Sequence, residues 1–145
     1  MKQYWLGVVS SADVVRRFEE ECWWCLPFNA RIGDPILMYC TRAASSSEQG
    51  VFAHCEVAMK PSEDHEQNFC CGGYGNGPSG GGSLYYVKLK LNERFEHRLT
   101  AHAMKNDRTL KAMSFVRKNF QATTFPLPKE AYERILRLTP KRPAR

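Results

Sequence analysis

Apolar residues recur along this chain with two periods, 2 and about 3.6, and the switches between them mark out its elements. Residues 4–10 (YWLGVVS) are aromatic and β-branched and predict a first strand. Ser10 or Ser11 then caps a helix whose apolar positions Val14, Val15, Phe18 and Cys22 fall at helical spacing. Glu19, Glu20 and Glu21 crowd its C-terminal end, where the helix dipole disfavours anions, so the helix is short and finishes before Trp23. Residues 22–29 (CWWCLPFN) put paired indoles next to a proline; they make poor helix and read as a loop.

Residues 31–35 (RIGDP) carry turn chemistry, with Gly33 for positive φ and Asp-Pro to launch an extended segment. Residues 36–41 (ILMYCT) are apolar on both faces and predict a central strand, and 43–50 form a small polar loop. In the next strand, 51–59, Val51, Ala53, Cys55 and Val57 face one way and Phe52, His54, Glu56 and Ala58 the other. Residues 61–83 are acidic and then nearly pure glycine, too poor in apolar side chains to order themselves, and read as an inserted loop. Clean alternation resumes over 84–91, with Tyr85, Val87, Leu89 and Leu91 inward and Tyr86, Lys88 and Lys90 outward.

From 92 to 119 the pattern weakens to short helical turns at 100–104 and 109–113, and 122–125 suggests a last strand. Pro128 suits the first position of a closing helix, whose buried stripe is Ala131, Ile135 and Leu138 with Tyr132 and Leu136 beside it. Nothing follows a βαβ rhythm. The expected fold class is α+β, a mixed, mostly antiparallel sheet curled into a small barrel with peripheral helices. Neither side of the glycine-rich insertion has strands enough for its own core, so residues 1–138 form one domain, followed by a basic tail at 139–145.

Composition narrows the partners. A chain of 145 residues with 43% hydrophobic and 25% charged residues is in the ordinary globular range. No apolar run approaches the roughly 20 residues that cross a bilayer, and the N-terminus lacks a secretory pattern, so the 6 cysteines are expected as thiols in a reducing cytoplasm. Residues 1–70 carry 6 Lys/Arg against 10 Asp/Glu, and residues 71–145 carry 15 against 5, so a net −4 and a net +10 give the overall +6. The basic half points to an anionic partner or to a solvated surface.

The order of these motifs resembles a known family. It runs from a Tyr-Trp-Leu strand ending in Val-Val-Ser-Ser, through a Val-Val helix and a Trp-bearing loop, to Arg-Ile-Gly-Asp before a strand. After these come Gly-Val-Phe-Ala-His-Cys-Glu-Val, Ser-Phe-Val-Arg and Leu-Pro-Lys-Glu-Ala-Tyr. Together they look like the EVE domain, a PUA-like barrel related to the YTH readers of methylated adenine, over roughly Tyr4 to Leu138. Related YTH domains place Trp-x-x-Leu-Pro-x-Asn at their base pocket, and Trp23 to Asn29 has that spacing.

The resemblance implies that Trp23 is a cage wall, with Trp24, Cys25, Pro27 and Asn29 around it. By the same likeness Ser10 would read the base edge, Asp13 would be a second reader and Arg117 would meet the backbone of the DNA or RNA; Arg42 and Lys118 are expected to steady the phosphates with it. The chain departs from the family in one respect: YTH cages draw further aromatic walls from a loop after the third strand, and here that region is the glycine-rich insertion, whose one aromatic residue after Phe69 is Tyr74. The alternative for each indole is a core plug.

Indole stacking on an extruded base is worth ~1–3 kcal/mol. This reading implies a binding module with no cofactor, no metal and no reaction. A protein-interaction slot for methylated lysine is the first competitor, with Asp13 and Glu19–Glu21 as an acidic rim. A zinc or thiol-redox protein using Cys22-x-x-Cys25 with Cys70-Cys71 is the second, although structural zinc prefers two spaced pairs.

Overall fold

The computed structural model of the chain describes residues 2–9, 15, 18, 23–27, 30–41, 49–59, 69–71, 84–117 and 124–140; for 27, 69–71, 84–86, 114 and 117 it describes backbone alone. Seven strands are present among them: β1 (Tyr4–Val9), β2 (Trp23–Pro27), β3 (Pro35–Cys40), β4 (Gly50–Met59), β5 (Phe69–Cys71), β6 (Leu84–Leu99) and β7 (Thr124–Leu127). Helices α1 (Ala101–Lys105), α2 (Ser114–Arg117) and α3 (Lys129–Leu138) pack around them, with a 3₁₀ turn at Leu110–Ala112. One sheet runs in the order β2-β6-β4-β3-β1-β7, with β5 against β6. Its pairings are antiparallel except β1 with β3, so the mixed, mostly antiparallel barrel is the observed architecture.

Burial follows the strand period. β3 is buried along its whole length, as a central strand with two covered faces must be. Ile36, Met38 and Cys40 join Trp5, Val9, Leu26, Val87 and Leu89 in the cluster inside the barrel. Leu37 and Tyr39 point the other way, into a cluster with Phe95, Leu99, Met104, Phe125, Ala131 and Ile135 under the helices. Val15 and Phe18, from the expected first helix, are 5% and 3% exposed and belong to the inner cluster.

The structure departs from the sequence pattern at five places. Residues 23–27 are strand rather than loop: they pair with 84–88 of β6, and aromatic residues suit a pleated ladder as well as they resist a helix. β6 continues to Leu99: beyond Leu91 its buried residues are Phe95 and Leu99, and the polar residues between them hide the alternation. In β4, register shifts on both sides fall at Phe52, so Val51 joins the outer cluster while Phe52, Ala53, Cys55 and Val57 fill the inner one. The inserted segment contributes β5. β7 begins at Thr124, and Pro128 is the residue capping α3 rather than its first member.

Polar side chains fix the turns. Gly33 has φ +92°, and the adjacent Asp34, 1% exposed, is a buried hub. Its carboxylate accepts from Arg31 N at 2.8 Å, Gln3 N at 3.2 Å and Trp5 Nε1 at 3.2 Å, tying the turn to the start of β1. Asp107 does the same below the sheet. Its Oδ2 accepts from Thr109 N and Leu110 N, and its Oδ1 accepts from Arg134 Nε at 3.0 Å and Nη2 at 2.7 Å. The Arg134 contact holds the Asp107 carboxyl below the usual carboxylate range, and the pair locks α3 to the 3₁₀ turn. On the other flank of α3, the Tyr132 hydroxyl lies 2.7 Å from His54 Nε2 and its ring lies 4.6 Å from that of Tyr4. Burial lowers the His54 pKa, against the opposing pull of Glu93 and Glu56.

Candidate nucleic-acid interface

Consecutive residues in a strand point to opposite faces, and β2 therefore sends its two indoles in opposite directions. Trp24 packs half-buried against the inner cluster. Its Nε1–H donates to Thr124 Oγ1 at 3.0 Å, and the Thr124 hydroxyl donates in turn to the Cys25 carbonyl at 2.8 Å. One threonine thus bridges β2 and β7, the two ends of the sheet, and nearly closes the barrel. The indole needs space to do this. A Cβ on Gly7 would stand 2.7 Å from Trp24 Nε1 and 2.7 Å from Met38 Sδ, so β1 carries glycine at that point.

Trp23 has the opposite surroundings. It is 43% exposed and stands opposite Lys88 in the β2–β6 ladder. Lys88 is exposed and also pairs with Met59, which is 57% exposed. Val87, Leu89 and Val57 turn into the barrel, so Trp23, Lys88 and Met59 form a row on its outer face. With neighbouring strands about 4.8 Å apart, this row is roughly 10 Å across, the scale of a nucleobase and its sugar. It offers one indole face, one thioether and one ammonium group. Lys88 and Met59 were legible as strand positions but not as site residues, because only the ladder brings them beside Trp23.

The row lies beside the C-terminal end of β1. Thr124 pairs with Gly7, and β2 runs opposite to β1, so moving back from Trp24 to Trp23 moves towards Val9. At that end the Val9 carbonyl accepts from Thr41 N at 2.8 Å, which brings the last residue of β1 against the end of β3. Ser10 and Arg42 follow Val9 and Thr41 in the chain, and both lie outside the described residues, as do Asp13, Asn29 and Lys118. Pro27 and Arg117 are placed by backbone alone, in β2 and at the end of α2. Of the expected pocket side chains, Trp23, Trp24 and Cys25 are therefore the ones described. A small interior gap of about 10 Å³, lined by Val15, Phe18, Phe52 and Arg94 among others, has room for one water and none for a base.

Cys25 is 8% exposed and disulfide-bonded to a partner outside the described side chains, which corrects the expectation of 6 thiols. A sulfur held in a disulfide is not a zinc thiolate, which removes Cys25 from the zinc alternative. Cys40 and Cys55 are thiols outside any disulfide, buried in the barrel. Among the described residues there is no group of three or more His, Cys, Asp or Glu side chains placed to hold a metal ion, and no helix long and apolar enough to cross a membrane.

Known proteins share this architecture. The family model of the EVE domain matches residues 3–138. The human THYN1 protein, solved in complex with DNA containing 5-methylcytosine, superposes with a TM-score of 0.63 at 13% identity, over 98% of this chain and 100% of that one. A hypothetical protein from Leishmania major gives 0.56 at 19% identity, over 96% and 95%. The YTH domain of Pho92, solved in complex with m6A, gives 0.51 at 10% identity, over 98% and 88%. At these identities the likeness is one of fold. No curated protein sequence matches the chain.

Proposed function

The chain belongs to the EVE domain family, and from that premise we propose that it binds nucleic acid by capturing a single modified base against Trp23. The observation that carries the reading is the division of labour within β2: Trp24 is committed to the barrel seam, while Trp23 presents its ring to solvent beside a lysine. An exposed indole in a rigid ladder is a costly residue to leave in water and a ready platform for a flat ligand.

In this mechanism the base leaves its stack and lies on the Trp23 ring. The Met59 thioether borders the platform, and Lys88 meets the adjoining phosphate. Ser10, with Asp13, Cys25, Pro27 and Asn29 around it, reads the base edge, and Arg42, Arg117 and Lys118 hold the backbone further out. A base methyl that loses contact with water adds about 0.8 kcal/mol, so preference for the methylated base is near fourfold rather than absolute. The likeness in fold to THYN1, bound to DNA with 5-methylcytosine, and to a YTH domain bound to m6A supports a modified base as the ligand. The function is binding without a reaction, and no cofactor takes part.

The test is a fluorescence-anisotropy panel of short single- and double-stranded oligonucleotides carrying 5-methylcytosine, N6-methyladenine or no modification, at low and high salt. A trimethyl-lysine peptide serves as the competing ligand. The expected result is tighter binding to a methylated strand, weakening steeply as salt rises. Binding to the peptide but to no oligonucleotide, or oligonucleotide binding indifferent to salt, overturns the proposal.

A further inference from the structure

Away from the Trp23 row, at the opposite end of β1, the surface opens into a cleft of about 530 Å³. β1 rises about 3.3 Å per residue, which puts this cleft roughly 15 Å from the end where β1 approaches Trp23. Its walls are two consecutive ladder pairs, Tyr4 with Leu127 and Trp5 with Pro126, and Lys2 and Lys129 stand in the same lining. The size lies within the ~300–1,000 Å³ range of small-molecule sites.

The floor is rigid. Trp5 is 4% exposed with its N–H held by Asp34, and the Tyr4 ring is backed by that of Tyr132. Pro126 is exposed and flat, and as a proline in an outermost strand it has no N–H to offer another chain. Among the described residues, the lining contains no aspartate or glutamate. Among the described residues, the acidic side chain in ion-pair range of Lys129 is Glu133, at 3.9 Å with both groups more than half exposed, a contact weak enough to yield to a ligand.

A flat apolar floor with two ammonium groups, and no carboxylate among its described lining residues, selects a planar body bearing about two negative charges. A phosphate monoester carries about −1.5 to −2 at neutral pH, whereas a carboxylate or an internal phosphodiester carries one. We propose that this cleft is a second site, which binds the terminal phosphate monoester of a nucleotide through Lys2 and Lys129 and lays its ring against Tyr4 and Pro126. The nucleotide is either free or the 5′ end of a strand, since both present the same group.

The test follows the Trp5 indole N–H and the Leu127 amide by two-dimensional ¹H–¹⁵N NMR while adenosine 5′-monophosphate is added to the intact protein. Both resonances are expected to move saturably. Adenosine without phosphate, and the Lys2→Gln/Lys129→Gln double variant, should each weaken binding about tenfold or more, since two charge-assisted contacts are lost. These lysines are exposed, and an unchanged spectrum elsewhere confirms that the variant is folded. A matched pair of oligonucleotides with 5′-phosphate or 5′-hydroxyl separates the two sources: a response to the free nucleotide alone identifies it as the ligand, and a response to the phosphorylated strand as well identifies a strand end. No shift with the nucleotide, or equal affinity in the double variant, overturns the proposal. Trp23→Ala should leave this site intact, so its failure and that of the base platform are read separately.

Discussion

Replacing Thr124 by valine keeps the shape of the side chain and removes only the hydroxyl that joins the two ends of the sheet. That oxygen accepts from Trp24 Nε1 at 3.0 Å and donates to the Cys25 carbonyl at 2.8 Å, and Thr124 is 5% exposed, so water cannot freely replace it. Two bonds at about 1 kcal/mol each, and a half-buried indole N–H left without its acceptor, put the cost at about 2–3 kcal/mol. For a chain of this length that corresponds to a fall in melting temperature of roughly 4–10 °C. Urea unfolding followed by tryptophan fluorescence should show a lower midpoint with an unchanged slope, because the surface exposed on unfolding is the same. Thr124→Ser keeps the hydroxyl and should recover most of the loss. A valine variant within about 0.5 kcal/mol of the parent, or a serine variant equally damaged, would show that the seam is not held by this oxygen.

Other substitutions probe the rest of the frame. Asp34→Asn turns an acceptor of three N–H groups into a side chain that must present its own amide hydrogens, and should cost about 1–3 kcal/mol in the same unfolding assay. Because Arg134 holds the Asp107 carboxyl low, the unfolded chain takes up a proton first as the pH falls below about 4, and stability is lost there. Asp107→Asn should flatten that acid arm of a melting-temperature-against-pH profile. At the alkaline end, burial pushes the Tyr39 phenol up to about 12, so the folded chain keeps a proton that the unfolded chain releases from about pH 10. Stability should decline from pH 10 towards 12, and Tyr39→Phe should remove that part of the slope.

Period and turn chemistry in the sequence carried most of the fold. The two-sided burial of β3, the positive φ at Gly33 and the apolar stripe of α3 each express local constraints that a single segment satisfies alone. What stayed hidden depended on partners distant in sequence. Residues 23–27 are a strand because β6 offers them an edge, and Asp34 is a buried acceptor because β1 brings two N–H groups to it. The bulge at Phe52 needs neighbours on both sides to be visible at all. For the candidate site, the sequence singled out the paired indoles, and the structure distinguishes them: Thr124 and Gly7, about a hundred residues and about seventeen residues from Trp24, decide which ring turns inward. Lys88 and Met59 reach Trp23 only through the ladder, a relation no spacing within the chain encodes.

Base capture depends most on Trp23, and the sharpest measurement is the affinity of Trp23→Ala for the tightest-binding methylated oligonucleotide, with unfolding measured alongside. Loss of a stacking surface worth ~1–3 kcal/mol predicts binding weaker by about five- to 150-fold, in a protein whose stability changes little because that ring is largely outside the core. Unchanged affinity, or a variant that unfolds, would contradict it.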